Sequence, residues 1–387
     1  MSTRSLFLVS GERSGDLHAA ELLKALQKNP SLKGLNLEFQ GLGGPELQKL
    51  YGDQFEDWVE EAAVIGLSEV LKKYSWFRKK FDETLKRILN LQPALVILVD
   101  YPGFNLRLAK KLRKLGYKGH ICYYISPQVW AWNRKRIPQM AKVLDLMMCV
   151  FEFEKELYES SDLPTVWVGH PVVEELNARR ISISRSHSLI GLFPGSRARE
   201  VKALLPLMCD ACAELLITDP HLTFELAVAS DKLLPLVGEI IEASNLCTKN
   251  SLKIAVGESH RLMQEATAGW VASGTASLEA GFYGMPYALV YKVSPLTYIA
   301  AKTVVKIPYI GMVNILADKL VVKEFIQSEA TVANLTHEIQ EILHNKEYKA
   351  TMAQNLSKVP SQLGNGDAHK KAAQAIAETL NNSATTL

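Results

Sequence analysis

The chain has no apolar run long enough to span a bilayer, and its opening residues, MSTRSLFLVSGERSGD, lack the long apolar core of a secretory signal. A soluble or peripheral protein of the cytoplasm is expected. Cysteine is scarce: five residues in 387, an odd number, with Cys122, Cys149, Cys209, Cys212 and Cys247 mostly inside apolar runs. That argues against a disulfide framework and for reduced thiols. Cys209 and Cys212 do form a C-x-x-C, but within a helical pattern and with no second pair or nearby histidine, so they read as core positions. An excess of charge is missing too. A formal net charge of +3, from 44 basic and 41 acidic side chains, gives no global pull toward nucleic acid. The dinucleotide fingerprint G-x-G-x-x-G is absent as well.

What is present is a globular composition, 48% hydrophobic and 22% charged, in a chain longer than one core usually serves. Short apolar runs alternate with helical patterns, as in parallel sheets covered by helices. The first run, 5–9, breaks at Gly11. The nearly unbroken apolar stretch 94–99 reads as a central strand, with further runs at 121–125, 143–150 and 165–168. Residues 172–188 are charged, irregular and then serine-rich, as a linker would be. A second series starts at 189–193 and continues at 223–228, 252–256, 269–272 and 287–291. From Val332 the pattern is helical, ending in an Asn-Ser-Thr tail. The expected architecture is α/β: two facing Rossmann-like domains, 1–175 and 176–387, each with a parallel sheet, and C-terminal helices free to cross back or swap.

Candidate chemistry sits where strands run into glycine turns, the place where α/β folds hold ligand groups. The richest stretch is 271–286, VASGTASLEAGFYGMP. An apolar strand end meets Ser273-Gly274-Thr275, and a helix carrying Glu279 follows. Ser273 or Thr275 is expected to cap that helix, Gly274 to admit a close ligand, and the opening amides through Ala276 to face an anion such as a diphosphate. Glu279, one turn on, is within reach of a sugar hydroxyl. An ordinary capped helix would look the same from this stretch alone. At 194–200, PGSRARE, a strand, glycine turn and helix recur, with Ser196 and Arg197 at the start. A planar cation there would add to the helix amides in holding an anion. In the first half, the turn GERSGD carries Glu12, Ser14 and Asp16, with His18 behind it. Two carboxylates suit hydroxyls or an amine better than phosphates. Asp100 ends the central strand, well placed for general-base chemistry, and leads through Tyr101-Pro102-Gly103-Phe104-Asn105 into a basic helix. Trp130 and Trp132 either wall a pocket or pack under a loop, and His170 is either a site residue or structural. Asn314 stands in an apolar loop, 309–317, where an unpaired amide is costly.

Residues 64–90 are unusual. Leu67, Val70, Leu71, Tyr74, Phe77, Phe81, Leu85 and Ile88 form a helical stripe able to face a core. That leaves Val64, Ile65 and Trp76 beside Lys72, Lys73, Arg78, Lys79 and Lys80. Aliphatics and an indole next to a basic cluster fit an interfacial membrane-binding surface, while a core helix with a solvated face is the plainer reading.

In their order and spacing, GERSGD (11–16), DYPGFN (100–105), SPQVWAW (126–132), VGHP (168–171), LFPGSRAREV (192–201), SGTASLE (273–279) and NILA (314–317) resemble the lipid-A-disaccharide synthase family over nearly the whole chain. The resemblance implies a GT-B glycosyltransferase whose C-terminal domain holds the nucleotide. Such an enzyme joins UDP-2,3-diacylglucosamine to 2,3-diacylglucosamine 1-phosphate and releases UDP. It further implies Asp100 as the base on the acceptor 6-hydroxyl and Arg197 and Asn314 as activity-linked residues. Ser273, Gly274, Thr275 and Glu279 match the donor signature, and Glu12 and Asp16 match acidic residues of the first loop. Asn105 and Ser14 are placed on the acceptor side with them. Val313, where the family usually has proline, His18, and Phe151-Glu152-Phe153-Glu154 depart from the pattern. No D-x-D pair flags a metal-dependent transferase, so neither metal nor cofactor is expected. Acylated substrates imply work on the inner face of the inner membrane, and the family implies a homodimer, in some members swapped through C-terminal segments. Another UDP-sugar enzyme, an epimerase or a lipid-linked N-acetylglucosaminyltransferase, is the alternative, and a non-catalytic UDP-sugar binder the third reading.

Overall fold

The structure is a computed structural model that describes residues 3–62, 73–244, 252–294, 298, 302 and 307–382. The chain divides into two units, Met1–Val172 with Leu363–Leu387, and Val173–Gln362. The sequence places the boundary at 175/176 and leaves the C-terminal helices free to cross back or swap; in the structure the final segment, Leu363–Leu387, does group with the first unit.

The first unit is built on seven parallel strands in the order β3-β2-β1-β4-β5-β6-β7. These are β1 (Thr3–Ser10), β2 (Asn36–Gly43), β3 (Phe55–Asp57), β4 (Leu95–Val99), β5 (His120–Tyr124), β6 (Leu146–Cys149) and β7 (Thr165–Trp167). The alternation of strand side chains sorts its core into two layers. Leu6, Leu8, Leu95 and Ile97 face one way, and Phe7, Val9, Val96 and Leu98 the other. On the first face lie α1 (Arg13–Gln27) and, from the far end of the chain, the C-terminal helix Ala368–Asn382. Ala372, Ala373, Ile376 and Leu380 share a cluster with Leu22, Leu23 and Leu26 of α1. The chain is tied where it returns, His170 N–H donating to the Leu363 carbonyl at 2.7 Å. After α1 come α2 (Pro45–Tyr51), α3 (Tyr74–Leu91) and α4 (Pro102–Lys114). The last two, with Leu85, Ile88, Leu108 and Leu112, cover the second face.

The second unit holds six parallel strands in the order β10-β9-β8-β11-β12-β13. They are β8 (Leu189–Phe193), β9 (Thr223–Val228), β10 (Leu252–Val256), β11 (Ala268–Ala272), β12 (Tyr287–Tyr291) and β13 (Glu324–Ile326). β11 is wholly buried, and the Trp270 indole N–H donates to the Leu335 carbonyl, which satisfies its one polar atom. Between strands run α5 (Ala198–Thr218) and α6 (Thr275–Phe282). Cys209 and Cys212 are fully buried on α5, and burial pushes the Cys209 thiol up to about 11, so it stays protonated and inert. The expected linker is partly ordered. Val172–Ala178 is helical because Val172, Val173 and Leu176 bury one face, and Arg185 donates to the carbonyls of Met263, Ala266 and Tyr283.

Both sheets share one topological feature. The winding direction reverses between β1 and β4 in the first and between β8 and β11 in the second. Strand ends at such a reversal diverge and leave a crevice at their carboxyl edge. The four loops that follow these strands are the motif loops GERSGD, DYPGFN, PGSRARE and SGTASLE.

Candidate functional site

In the second unit, the loops after β8 and β11 line two adjoining cavities of about 450 and 920 Å³. Arg197, Glu200, Ser273 and Gly274 border both; Ser196, Thr275, Ala276 and Glu279 line the smaller. Gly274 is at φ +141°, which only glycine adopts without strain, and a Cβ there would meet nothing within 4 Å. Gly274 itself is the N-cap of α6, and no side chain caps that helix, contrary to the expected cap from Ser273 or Thr275. The Ser277 hydroxyl turns inward to the Gly274 carbonyl instead. The first amides of α6 are thereby left facing the cavity's border rather than a hydroxyl. Helix amides without a cap and a positive dipole end suit an anion.

Arg197 opens α5 and pairs with Glu200 at 3.0 Å, its side chain about half exposed. An exposed pair of this kind is worth about 0–1 kcal/mol, so an incoming phosphate can replace the carboxylate cheaply. Arg199 and Lys292 add positive charge to the larger cavity. Glu279 is pushed up to about 7, first by burial and then by Glu175, with Arg179 opposing. Arg179 and His260 also line the smaller cavity, and no local pattern marks either, since one sits in the linker and the other in an unremarkable helix start.

Asn314 is elsewhere. It is fully buried in the helix Met312–Ala317; its amide donates to the Val322 carbonyl and to Glu324, and its oxygen accepts from the amides of Val321 and Val322. With every polar site used inside the protein, it has nothing left for a nucleotide. The expectation of direct donor contact is corrected to one of shaping the turn before β13.

In the first unit, Asp100 and Tyr101 both hold left-handed backbone angles, φ +46° and +49°. Such strain costs about 1–3 kcal/mol per residue and persists only where the surroundings enforce it. Here Tyr123 Oη and Asn105 Nδ2 both donate to the Asp100 carbonyl, the Asp100 amide donates to Tyr124, and Pro102 bars Tyr101 from the right-handed helical region. The Tyr101 ring lies so close over Gly11 that a Cβ there would come within 2.4 Å of it, which brings the GERSGD turn against the Asp100 loop. Burial, and secondly the charge of Glu12, raise the Asp100 carboxyl to about 6.

Two residues expected on the acceptor side turn out to be clamps. Asp16 is buried and accepts from the amides of Gly44, Glu46 and Leu47, so it caps α2. Asn105 is buried and donates to carbonyls at the ends of β1 and β4 as well as to Asp100. Their shared reason is that strand and helix ends buried in this crevice need partners for their backbone groups. Glu12 and Ser14 are exposed and remain available. Glu154, which the sequence singled out only as a departure, is a buried hub. It accepts from Ser126 Oγ, Trp130 Nε1 and the amides of Val150 and Phe151, and so fixes the SPQVWAW loop.

Of the expected membrane residues, Val64 and Ile65 lie outside the described residues. Trp76 does not stand clear of the surface as expected: its indole stacks on the buried Trp58 at 6.1 Å. The exposed ring is Tyr74, 57% accessible, near exposed Arg78 and Lys79, whereas Lys80 is held by Glu56 and Glu83. Among the described residues no helix is long and apolar enough to cross a membrane.

The family model described as lipid-A-disaccharide synthetase matches residues 6–379. The lipid-A-disaccharide synthase of Trichlorobacter lovleyi is 36% identical over 386 residues, covering 96% of this chain and 97% of its own length. That of Coxiella burnetii is 33% identical, covering 97% and 98%. Among solved structures, a putative UDP-N-acetylglucosamine 2-epimerase from Listeria monocytogenes aligns at a TM-score of 0.64 and 14% identity, covering 99% of this chain and 98% of its own. MurG of Acinetobacter baumannii aligns at 0.56 and 14%, covering 98% and 99%. At such identities the structures speak for the fold, which is GT-B, and the sequence relatives speak for the activity. Two parallel sheets with motif loops at both winding reversals, and a family match over nearly the full length, lead to one conclusion: the chain belongs to the lipid-A-disaccharide synthase family of glycosyltransferases.

Proposed function

We propose that the protein transfers 2,3-diacylglucosamine from its UDP carrier to the 6-hydroxyl of 2,3-diacylglucosamine 1-phosphate, inverting the anomeric centre and releasing UDP. The observation that carries the donor half is the pair of second-unit cavities, where the uncapped start of α6 meets Arg197. As the bond from the anomeric carbon to the diphosphate breaks, negative charge grows on the leaving oxygen. Amides and a guanidinium fixed in advance stabilise that charge more than they stabilise the bound donor. Ser196, Ser273 and Thr275 border the same space, and Glu279 holds a hydroxyl of the nucleotide sugar.

Asp100 is the general base. A carboxyl raised to about 6 is still mostly ionised at neutral pH, yet binds a proton more tightly than an ordinary aspartate. It takes the acceptor hydroxyl's proton as that oxygen attacks, with Glu12 and Ser14 beside it on the acceptor side. Because both sugars are acylated, the enzyme works peripherally at the inner face of the inner membrane, with Tyr74, Arg78 and Lys79 on the exposed side of α3. A homodimer, exchanged or not through the C-terminal segment, is part of this reading.

The test is UDP release with both diacylated sugars present. Release that requires the acceptor and yields a disaccharide phosphate supports the assignment. An epimerase would convert UDP-N-acetylglucosamine without any acceptor, and a non-catalytic binder would hold UDP and release none in response to acceptor; either result overturns it.

A further inference from the structure

Two cavities of the first unit meet at the start of α4. The first, about 200 Å³, is bordered by Arg107, Lys110 and Arg136, with Gln139 and no carboxylate. Among the described residues, neither Arg107 nor Lys110 has an ion-pair partner, and Arg136 is held over the Trp132 ring at 4.7 Å. The second, about 400 Å³, is a mainly aromatic trough between α3 and α4, bordered by Tyr74, Phe77, Phe81, Tyr101 and Phe104, with Arg78 at its edge. Gly103 and Arg107 border both. A Cβ at Gly103 would meet nothing within 4 Å, so no side chain closes the passage there. Both spaces belong to the junction that starts with Asp100, since Tyr101 follows it directly and α4 begins at the next residue.

A solvated basic face would explain the cations alone, and a surface groove would explain the trough alone. Their union at Arg107 calls for an amphiphile that carries a phosphate a short distance from a hydrocarbon chain. Resting on the function proposed above, we propose that this is the acceptor subsite: Arg107, Lys110 and Arg136 hold the acceptor's phosphate monoester, and the trough takes one of its acyl chains. A guanidinium binds phosphate through paired N–H donors, and the trough contributes about three- to fourfold in affinity for each methylene it removes from water. Bound so, the acceptor sugar lies beside the Asp100 loop by virtue of its two ends. Arg107 is thereby a specificity-determining residue, not a participant in bond making.

The experiment uses the full chain in detergent micelles, with KM measured for the phosphorylated acceptor, for the same sugar lacking phosphate, and for shorter acyl chains. Arg107→Ala with Lys110→Ala is expected to raise KM for the phosphorylated acceptor at least tenfold, leave the donor KM within twofold, and erase the preference for phosphate. Gly103→Leu, which fills the passage, is expected to flatten the dependence on chain length. Wild-type turnover with unchanged phosphate preference in the double variant overturns the subsite while leaving the reaction intact. No acceptor-dependent turnover in the wild type overturns the reaction itself. If the double variant instead loses binding to phosphatidylglycerol vesicles and keeps its acceptor KM, the cations read membrane headgroups and the subsite assignment is wrong.

Discussion

Asp100 illustrates a residue whose chemistry and stability pull in opposite directions. Its folded-state pKa, about 6 against an ordinary 3.8, means that the folded protein holds its proton more tightly than the unfolded chain does. The ionised form therefore penalises folding above pH 6, by up to about 3 kcal/mol, and the penalty fades as pH falls toward 4. Asp100→Asn should lower turnover by about 10²–10⁴-fold while leaving UDP binding intact. It should also be more stable than the wild type at pH 8, by about 1–3 kcal/mol, with the difference gone near pH 4. Thermal melts across that range check the second claim; equal melting points at pH 8 would mean that the carboxylate is not desolvated. Wild-type kcat/KM should climb through about pH 6 and level off above it. Arg197 belongs to the same scale. Arg197→Ala should reduce kcat by about 10²–10³-fold, as loss of one pre-set donor does, and an unchanged rate would remove it from the mechanism.

At the scale of elements, several polar residues in the motif loops face backbone rather than ligand. Asp16 caps α2, Asn105 ties the ends of β1 and β4, and Asn314 folds the turn before β13. Asp16 and Asn105 stand in strand-end loops, where a polar residue resembles a binding group, and Asn314 is singled out by its apolar loop and by the family resemblance. The sequence could not separate binding from capping, because the two use the same donors and acceptors and differ only in where the partner lies. Glu154 went unassigned for the converse reason, since beside the nearby amides of Val150 and Phe151 it gathers Ser126 and Trp130 from a separate loop more than twenty residues away. Glu154→Gln places an amide N–H₂ among donors. It should cost about 1–3 kcal/mol in urea unfolding and loosen the Trp130 loop, visible as a shift in tryptophan emission. A cost below about 0.5 kcal/mol would show that the hub is dispensable.

At the scale of the whole molecule, the two units differ in how the chain builds them. Val173–Gln362 is continuous, whereas the first unit needs Leu363–Leu387 to complete it. A chain ending at residue 362 would uncover Leu22, Leu23 and Leu26 of α1 and lose the burial of Ile376 and Leu380. Two such side chains are worth about 3–6 kcal/mol, against a typical total of about 5–15 kcal/mol, so that truncation should leave the first unit aggregated. The segment 173–362 expressed alone should fold and bind UDP. Calorimetry with UDP on both fragments decides it, and a fragment 173–362 that melts without a transition would refute its independence.

The sequence by itself determined the class of fold, the two strand series and the motif loops at their ends, because strand burial and glycine turns are local and repeat with a fixed period. It also pointed to Arg197, Ser273, Gly274, Thr275 and Glu279, which do border one pair of cavities. Only the tertiary structure decided that Gly274 takes the N-cap position and leaves α6 without a side-chain cap, that Trp76 is stacked on Trp58, that Asn314 is saturated, and that the last helix belongs to the first unit. Each of these turns on which distant group fills a hydrogen bond or covers an apolar face, and that is a property of the packed chain that no local stretch carries.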